Sequence, residues 1–377
     1  MKNLIIILSF CLNVSHYLFA QTADSLKLTL NEAELQFSQK NFLLLAQKYS
    51  IEASKAAIIQ AGLFPNPTVN LEQTLISKSI LANNENIQPF GQRAIQIQQL
   101  IQVSGKRSKQ IALAKAGVEI SQYQFSELIR ELLFQLRGSF YQIHYLQKTL
   151  VMYNQEISKI TSLVAAYQEQ VQKGNIAQKE LIRLQSFLIT IEGEASDIVN
   201  QITDNQITIK ILLADRTITI INPLVDDTQI QNTSLTGLNL GDLMANATQN
   251  RPDLKVQNAN MLYSIANYNL QKALAKPDVT VGYSYDRAGS YVNNYHALTV
   301  SMALPFFNKN QGNIKIAENQ IEANKQYYSQ TQNQLENEVL QAYTKAQEND
   351  RLFRKIDQKF QANFEKLIAG VLENYQK

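Results

Sequence analysis

Residues 132–175 read LLFQLRGSFYQIHYLQKTLVMYNQEISKITSLVAAYQEQVQKGN, and the fold class follows from their periodicity. Leu136, Ile143, Leu150, Ile157, Val164 and Val171 recur every seven residues, as do Leu132, Ser139, Leu146, Tyr153, Ile160 and Tyr167. A seven-residue apolar repeat sustained this long predicts left-handed coiled-coil packing. No proline falls between Pro89 and Pro223. The helix therefore runs from about Arg107 to the turn Lys173-Gly174-Asn175, where glycine can supply a left-handed residue. At 1.5 Å per residue it would be about 100 Å long. A return helix carries Leu181, Leu188, Ala195, Ile202 and Ile209 beside Leu184, Ile191, Ile198, Asn205 and Leu212, with Asn205 the one break. The flanking positions are rich in Gln, Asn, Ser and Thr, where scaffolding coiled coils carry Glu and Lys. Such a surface suits a wall that faces water on one side and neighbouring helices on the other.

The rest of the composition agrees. Lys+Arg 35 against Asp+Glu 32 gives a formal charge of +3, too small for a nucleic-acid groove, and no nucleic-acid partner is expected. Charged residues make up 18% of the 377 residues, where about 25% is usual, and about forty Gln fill the gap. With 13 Gly and no Trp, a Gly-rich Rossmann or sandwich fold is disfavoured. The start, Met1-Lys2-Asn3 followed by an apolar run to Leu12 and by Phe19-Ala20-Gln21, predicts a signal peptide over 1–20. Phe10 before Cys11 argues against a lipoprotein. Cleavage near Ala20 would remove the only Cys, and with it any disulfide or Cys-based metal site.

An internal duplication is visible at an offset of about 203 to 212 residues. Leu28-Thr29-Leu30 parallels Leu238-Asn239-Leu240, Phe64-Pro65-Asn66-Pro67 parallels Lys276-Pro277-Asp278, Ile111 parallels Ile314, and Phe140 falls opposite Tyr343. Each copy reads helix, break, two strands, long helix. The expected organisation is a first repeat over 21–215, with strands about 66–76 and 94–104 and a helical hairpin over 107–213. A polar linker follows over 216–237. The second repeat covers 238–377, with strands about 278–286 and 295–304 and a long helix from 313. That helix continues the seam through Val339, Ala346, Phe353, Phe360 and Leu367. It reaches Lys377 without a return helix, so a subunit truncated at its C-terminal tip is expected.

The strands alternate. Val279, Val281, Tyr283 and Tyr285 share one face and Thr280, Gly282, Ser284 and Asp286 the other; Leu298, Val300, Met302 and Leu304 stand against Ala297, Thr299, Ser301 and Ala303. In the first copy Val69 and Leu71, then Ile95, Ile97, Ile101 and Val103, oppose Gln96, Gln98 and Gln102. Two readings fit this pattern: a half-buried hairpin of a soluble sheet and a segment of a transmembrane β-barrel. Four strands cannot close a barrel in lipid, so the second reading requires several subunits to pool their strands.

At this point the sequence resembles the TolC family of outer-membrane efflux channels. The resemblance is carried by Phe64-Pro65-Asn66-Pro67, by Gln99-Leu100-Ile101-Gln102-Val103-Ser104-Gly105-Lys106-Arg107, by Arg251-Pro252-Asp253-Leu254 and by Leu304-Pro305-Phe306-Phe307-Asn308. The junctions look most like the heavy-metal, cation-exporting branch. The resemblance implies a mostly α fold with a small β part, in which a homotrimer forms a transmembrane β-barrel in the outer membrane and an α-helical barrel in the periplasm. It implies a passive exit duct, with metal cations as the suggested cargo, that docks an adaptor protein and an inner-membrane pump at the hairpin tip. By position that tip is Gln172, Lys173, Gly174, Asn175, Ile176, Ala177, Glu180 and Leu181. Lys173 and Glu180 read equally well as solvated turn charges. The lipid-facing set is Val279, Val281, Tyr283, Tyr285, Leu298, Val300, Met302 and Leu304.

No nucleophile elbow, phosphate-binding loop or zinc motif is present, and Asp226-Asp227 alone implies no acid–base chemistry. His144 lacks a helical ligand partner and reads as packing. Neither an enzyme nor a cofactor is expected. The alternative from another class is a periplasmic helical-hairpin adaptor of an export complex, which would carry one hairpin and a lipoyl-like domain in place of two strand-bearing repeats.

Overall fold

The computed structural model describes residues 25–75, 92–216, 220–228, 235, 237–287, 292–355 and 366. The expected signal segment 1–20 and the seam residues Phe360 and Leu367 lie outside the described residues. In chain order the elements are β1 Ser25–Thr29, α1 Leu30–Lys40, α2 Phe42–Ala61, β2 Thr68–Gln73, β3 Arg93–Ile101, α3 Lys106–Gln172 and α4 Gln178–Leu212. Then come β4 Ile220–Leu224, α5 Leu240–Asn250, α6 Pro252–Leu274, β5 Val279–Asp286, β6 Tyr295–Met302 and α7 Gln311–Lys355. They form two compact units: Met1–Leu45, Ile129–Leu235 and Glu348–Lys377 in one, Ala46–Leu128 and Thr236–Gln347 in the other. Each unit draws on both repeats, so the division in space differs from the division in sequence.

The duplication is visible in backbone detail. In each copy a single extended residue divides the helical segment that precedes the strands: Asn41 at φ −61°, ψ 121° and Arg251 at φ −63°, ψ 126°. Both short helices carry a side-chain N-cap. Thr29 and Glu32 form a reciprocal capping box before α1, and the Asn239 side-chain Oδ1 accepts from the Gly241 N–H before α5. Phe140 lines a small cleft with Thr29 and Leu30, and the Tyr343 hydroxyl donates to the Leu238 carbonyl at 3.1 Å. The paired positions thus stand beside equivalent starts.

The first unit holds the hairpin. Every residue of the two seven-residue series in α3 is buried or half-buried; Leu136 and Ile143 are fully so, as is Phe140 beside them. On α4, Leu181, Ile191, Ala195, Ile198, Ile209 and Leu212 are buried. The Tyr153 hydroxyl donates to the Glu194 carboxylate at 2.9 Å, from one helix to the other.

The segment expected to be a polar linker contains a strand. β4 pairs in parallel with β1, and Ile221 is fully buried. The remaining edge of β4 is closed by Gln206, whose amide accepts from the Ile221 N–H at 2.9 Å and donates to the Ile221 carbonyl at 2.6 Å. A proline in a strand is tolerated at an edge. Pro223 occupies one here, which is why this stretch reads as a break from sequence.

The second unit holds a four-stranded antiparallel sheet in the order β2-β3-β5-β6. Its strands end earlier than the alternation suggests. Val103 lies beyond β3 because Ser104 and Gly105 turn into the left-handed region, at φ 59° and 66°. Leu304 lies beyond β6, just before Pro305.

Candidate functional site

Cross-strand register joins the four strands into two faces of opposite character. On one face the rows are Val69–Ile97–Tyr283–Leu298, Leu71–Ile95–Tyr285–His296, Gln99–Val281–Val300 and Ile101–Val279–Met302. On the other they are Thr68–Gln98–Gly282–Thr299, Asn70–Gln96–Ser284–Ala297 and Leu100–Thr280–Ser301. Within its own unit the apolar face has little cover: Leu298 is 75% exposed, Leu71 74% and Val300 66%. An exposed apolar surface this continuous marks contact with lipid or protein. The polar departures on that face are satisfied locally. Gln99 Nε2 donates to the carbonyls of Pro65 and Leu100, and the His296 ring meets the Tyr283 hydroxyl at 2.5 Å. On the polar face Gly282 is tightly enclosed: a Cβ there would lie 2.6 Å from Thr299 Oγ1 and 3.1 Å from the Ile97 carbonyl oxygen.

Where the strands give way to helices, a buried ion pair fixes the junction. Lys106, the first residue of α3, is 3% exposed, and its Nζ lies 2.7 Å from Asp278 Oδ1 and donates to the Lys276 carbonyl at 2.7 Å. Asp278 Oδ1 also accepts from the Val103 N–H at 3.0 Å. This pair joins the two repeats across 172 positions of sequence, and no local pattern announces it. Arg107 lies over the Phe64 ring at 3.9 Å.

The hairpin tip is a Schellman turn. Gly174 at φ 79° donates its N–H to the Val171 carbonyl at 3.0 Å, and the Asn175 N–H donates to the Gln170 carbonyl at 2.9 Å. Lys173 pairs with Glu169, holding the Glu169 carboxyl below its usual range. Gln172, Lys173, Gly174, Asn175 and Ala177 are exposed, Ile176 and Glu180 half-buried, and Leu181 buried. Leu181 therefore belongs to the seam, and the more exposed residues form the available surface.

His144 and the Asp227 of the expected linker meet in the first unit. The His144 ring lies 3.1 Å from Asp227 Oδ1, and Lys148 pairs with the same carboxylate. The Lys148 and His144 contacts, in that order, hold the Asp227 carboxyl below its ordinary range. Among the described residues no three His, Cys, Asp or Glu gather to hold a metal, and no helix is long and apolar enough to cross a membrane.

Three comparisons bear on this geometry. A family model described as outer membrane efflux protein matches residues 36–214 and 243–365. The cobalt-zinc-cadmium resistance protein CzcC of Cupriavidus metallidurans is 21% identical over 289 residues, covering 76% of this chain and 65% of its own length. Among solved structures, the channel protein CusC superposes with a TM-score of 0.61 at 13% identity, over 90% of this chain and 79% of that one. The open-state outer-membrane channel MtrE of Neisseria gonorrhoeae gives 0.63 at 14% identity, over 92% and 79%. The duplicated helix–strand–strand–helix plan, the two-faced sheet and a family match over most of the chain's length place this chain in the outer membrane efflux protein family.

Proposed function

We propose that the chain is a subunit of an outer-membrane exit duct, a homotrimer that conducts substrate passively outward from an inner-membrane pump. The observation that carries this reading is the two-faced sheet. β2 and β6, its two edges, run in opposite directions, so β6 of one subunit can pair antiparallel with β2 of the next. Closure of that kind removes the edges that lipid does not tolerate. An eight-residue strand such as β5 is about 27 Å long. Tilted as barrel strands are, it spans about 20 Å, close to the roughly 25 Å apolar band of outer-membrane barrels. Val279, Val281, Tyr283, Tyr285, Leu298, Val300 and Met302 then face lipid, with Leu304 at the boundary. The amide and hydroxyl residues of the other face line the passage.

In this reading the exposed tip residues Gln172, Lys173, Gly174 and Asn175 meet the periplasmic adaptor. Energy comes from the pump, so the duct carries no catalytic group and no cofactor. Metal cations are the proposed cargo, supported by the similarity to a relative named for cobalt, zinc and cadmium resistance. Deleting the gene tests both levels. Increased sensitivity to divalent metal salts, with a heat-modifiable trimer in the wild-type outer-membrane fraction, is the expected result. A soluble periplasmic monomer refutes the duct, and unchanged sensitivity to every metal refutes the cargo.

A further inference from the structure

The boundary between sheet and helices has a charge imbalance that conduction does not explain. Residues 56–71, 103–114, 266–285 and 303–314 contain Lys106, Arg107, Lys109, Lys272, Lys276 and Lys309, against the single acid Asp278. That acid is already held by Lys106 and by the Val103 N–H. Contacts draw these segments together: Lys106 Nζ reaches the Lys276 carbonyl, and Asn310 Nδ2 donates to the Gln271 carbonyl at 2.8 Å. Arg107, Lys276 and Lys309 pair with no carboxylate among the described residues, and the buried Arg107 Nε donates to nothing. Lys106, Arg107 and Lys109 also open α3, where the helix dipole disfavours cations, and its first turn holds no acid.

Exposed aromatic rings lie in the same segments. Phe64 is 72% exposed, Phe306 71% and Phe307 96%. The apolar face of the sheet stops at this level, at the row Ile101–Val279–Met302. Aromatic rings and basic side chains at the end of an apolar band are the composition of a membrane–water interface. Unbalanced cations there attract anionic headgroups.

We infer that this belt binds the phosphate headgroups of anionic phospholipids in the periplasm-facing leaflet, with Arg107, Lys276 and Lys309 as the contacting cations. The inference rests on the outer-membrane reading above. The purified trimer is offered phosphatidylglycerol and phosphatidylethanolamine in equal amounts in mixed micelles, and retained lipid is counted by native mass spectrometry. Phosphatidylglycerol is expected in excess. In R107Q/K276Q/K309Q the excess falls by about fivefold per removed charge, whereas Lys179→Gln near the tip leaves it unchanged. Equal retention of the two lipids by the wild type, or an unchanged excess in the triple variant, overturns the inference. Displacement of the lipid by an equal concentration of inorganic phosphate overturns it in favour of a free-ion site. Absence of the wild-type trimer from the outer-membrane fraction contradicts the duct itself. A trimer that persists there without a lipid preference contradicts only the belt.

Discussion

The hairpin and the sheet use the same device, a periodic apolar stripe, and leave it in opposite states. In the hairpin unit Leu136, Phe140, Ile143 and Ile209 are fully buried by the chain's own residues. In the sheet unit the equivalent apolar residues, Leu71, Leu298 and Val300, are left largely exposed. A stripe that is covered reports on folding of the single chain. A stripe left bare reports on the surroundings that the chain is built to enter, because burial is worth about 25 cal/mol per Å2 only once something removes that surface from water.

Substitutions can break this contrast. The largest effect is expected in the hairpin: Leu136→Ala removes a fully buried side chain and is expected to cost about 3 kcal/mol. Leu298→Ala on the sheet is expected to cost under about 0.5 kcal/mol. Thermal melts of the two purified variants in detergent compare them directly, and similar losses would erase the distinction. Next comes Gly282→Val, which drives a side chain into Thr299 and the Ile97 backbone and is expected to cost about 1–3 kcal/mol. Its effect is to appear as a reduced trimer yield, since the strain lies in the sheet and spares the hairpin.

These two regions also differ in how far their sequences could be read. The seam of α3 and the alternation of β5 and β6 are periodic, and period is visible without neighbours. What escapes is everything fixed by long-range partners. Ile221 lies in a strand because β1 pairs with it and Gln206 clasps its far edge, and neither contact leaves a local pattern around Asn222-Pro223. The Lys106–Asp278 pair is similarly silent: each residue reads as an ordinary surface charge until the fold brings two repeats together. The single-residue breaks at Asn41 and Arg251 show the same limit. Their backbone angles match, yet Asn41 Nδ2 donates to the Leu212 carbonyl at 2.9 Å while Arg251 pairs with Asp253 and Glu338. Duplication preserved the bend and changed the chemistry that holds it.

Smaller effects sharpen the picture of the hairpin. Gly174→Val forces a β-branched residue to φ 79° and is expected to cost about 1–2 kcal/mol, with no clash, since nothing lies within 4 Å of the added Cβ. Gly174→Asn, which tolerates this conformation, is expected to retain most of the stability. If the two variants export equally poorly with normal trimer yield, the exposed surface of the turn matters and its backbone angle does not. The smallest effect is at Asp227. Its carboxyl is held below the ordinary range, so its contribution is present above the ordinary carboxylate pKa and is lost as pH falls through the lowered value. The difference in melting temperature between wild type and Asp227→Asn is therefore expected at neutral pH and is expected to vanish in strong acid. A difference that stays constant with pH would show that Asp227 acts through packing alone.

In an exit duct the two faces of the sheet meet different solvents, lipid on one side and water on the other. Leu298 and Thr299 are adjacent on β6 and point to opposite faces. Nitroxide labels on Leu298→Cys and Thr299→Cys, read in native outer-membrane vesicles by collision with oxygen and with a water-soluble nickel chelate, tell the two environments apart. The label at Leu298 is expected to collide mainly with oxygen and the label at Thr299 mainly with the chelate. Equal access of the chelate to both positions would contradict that division.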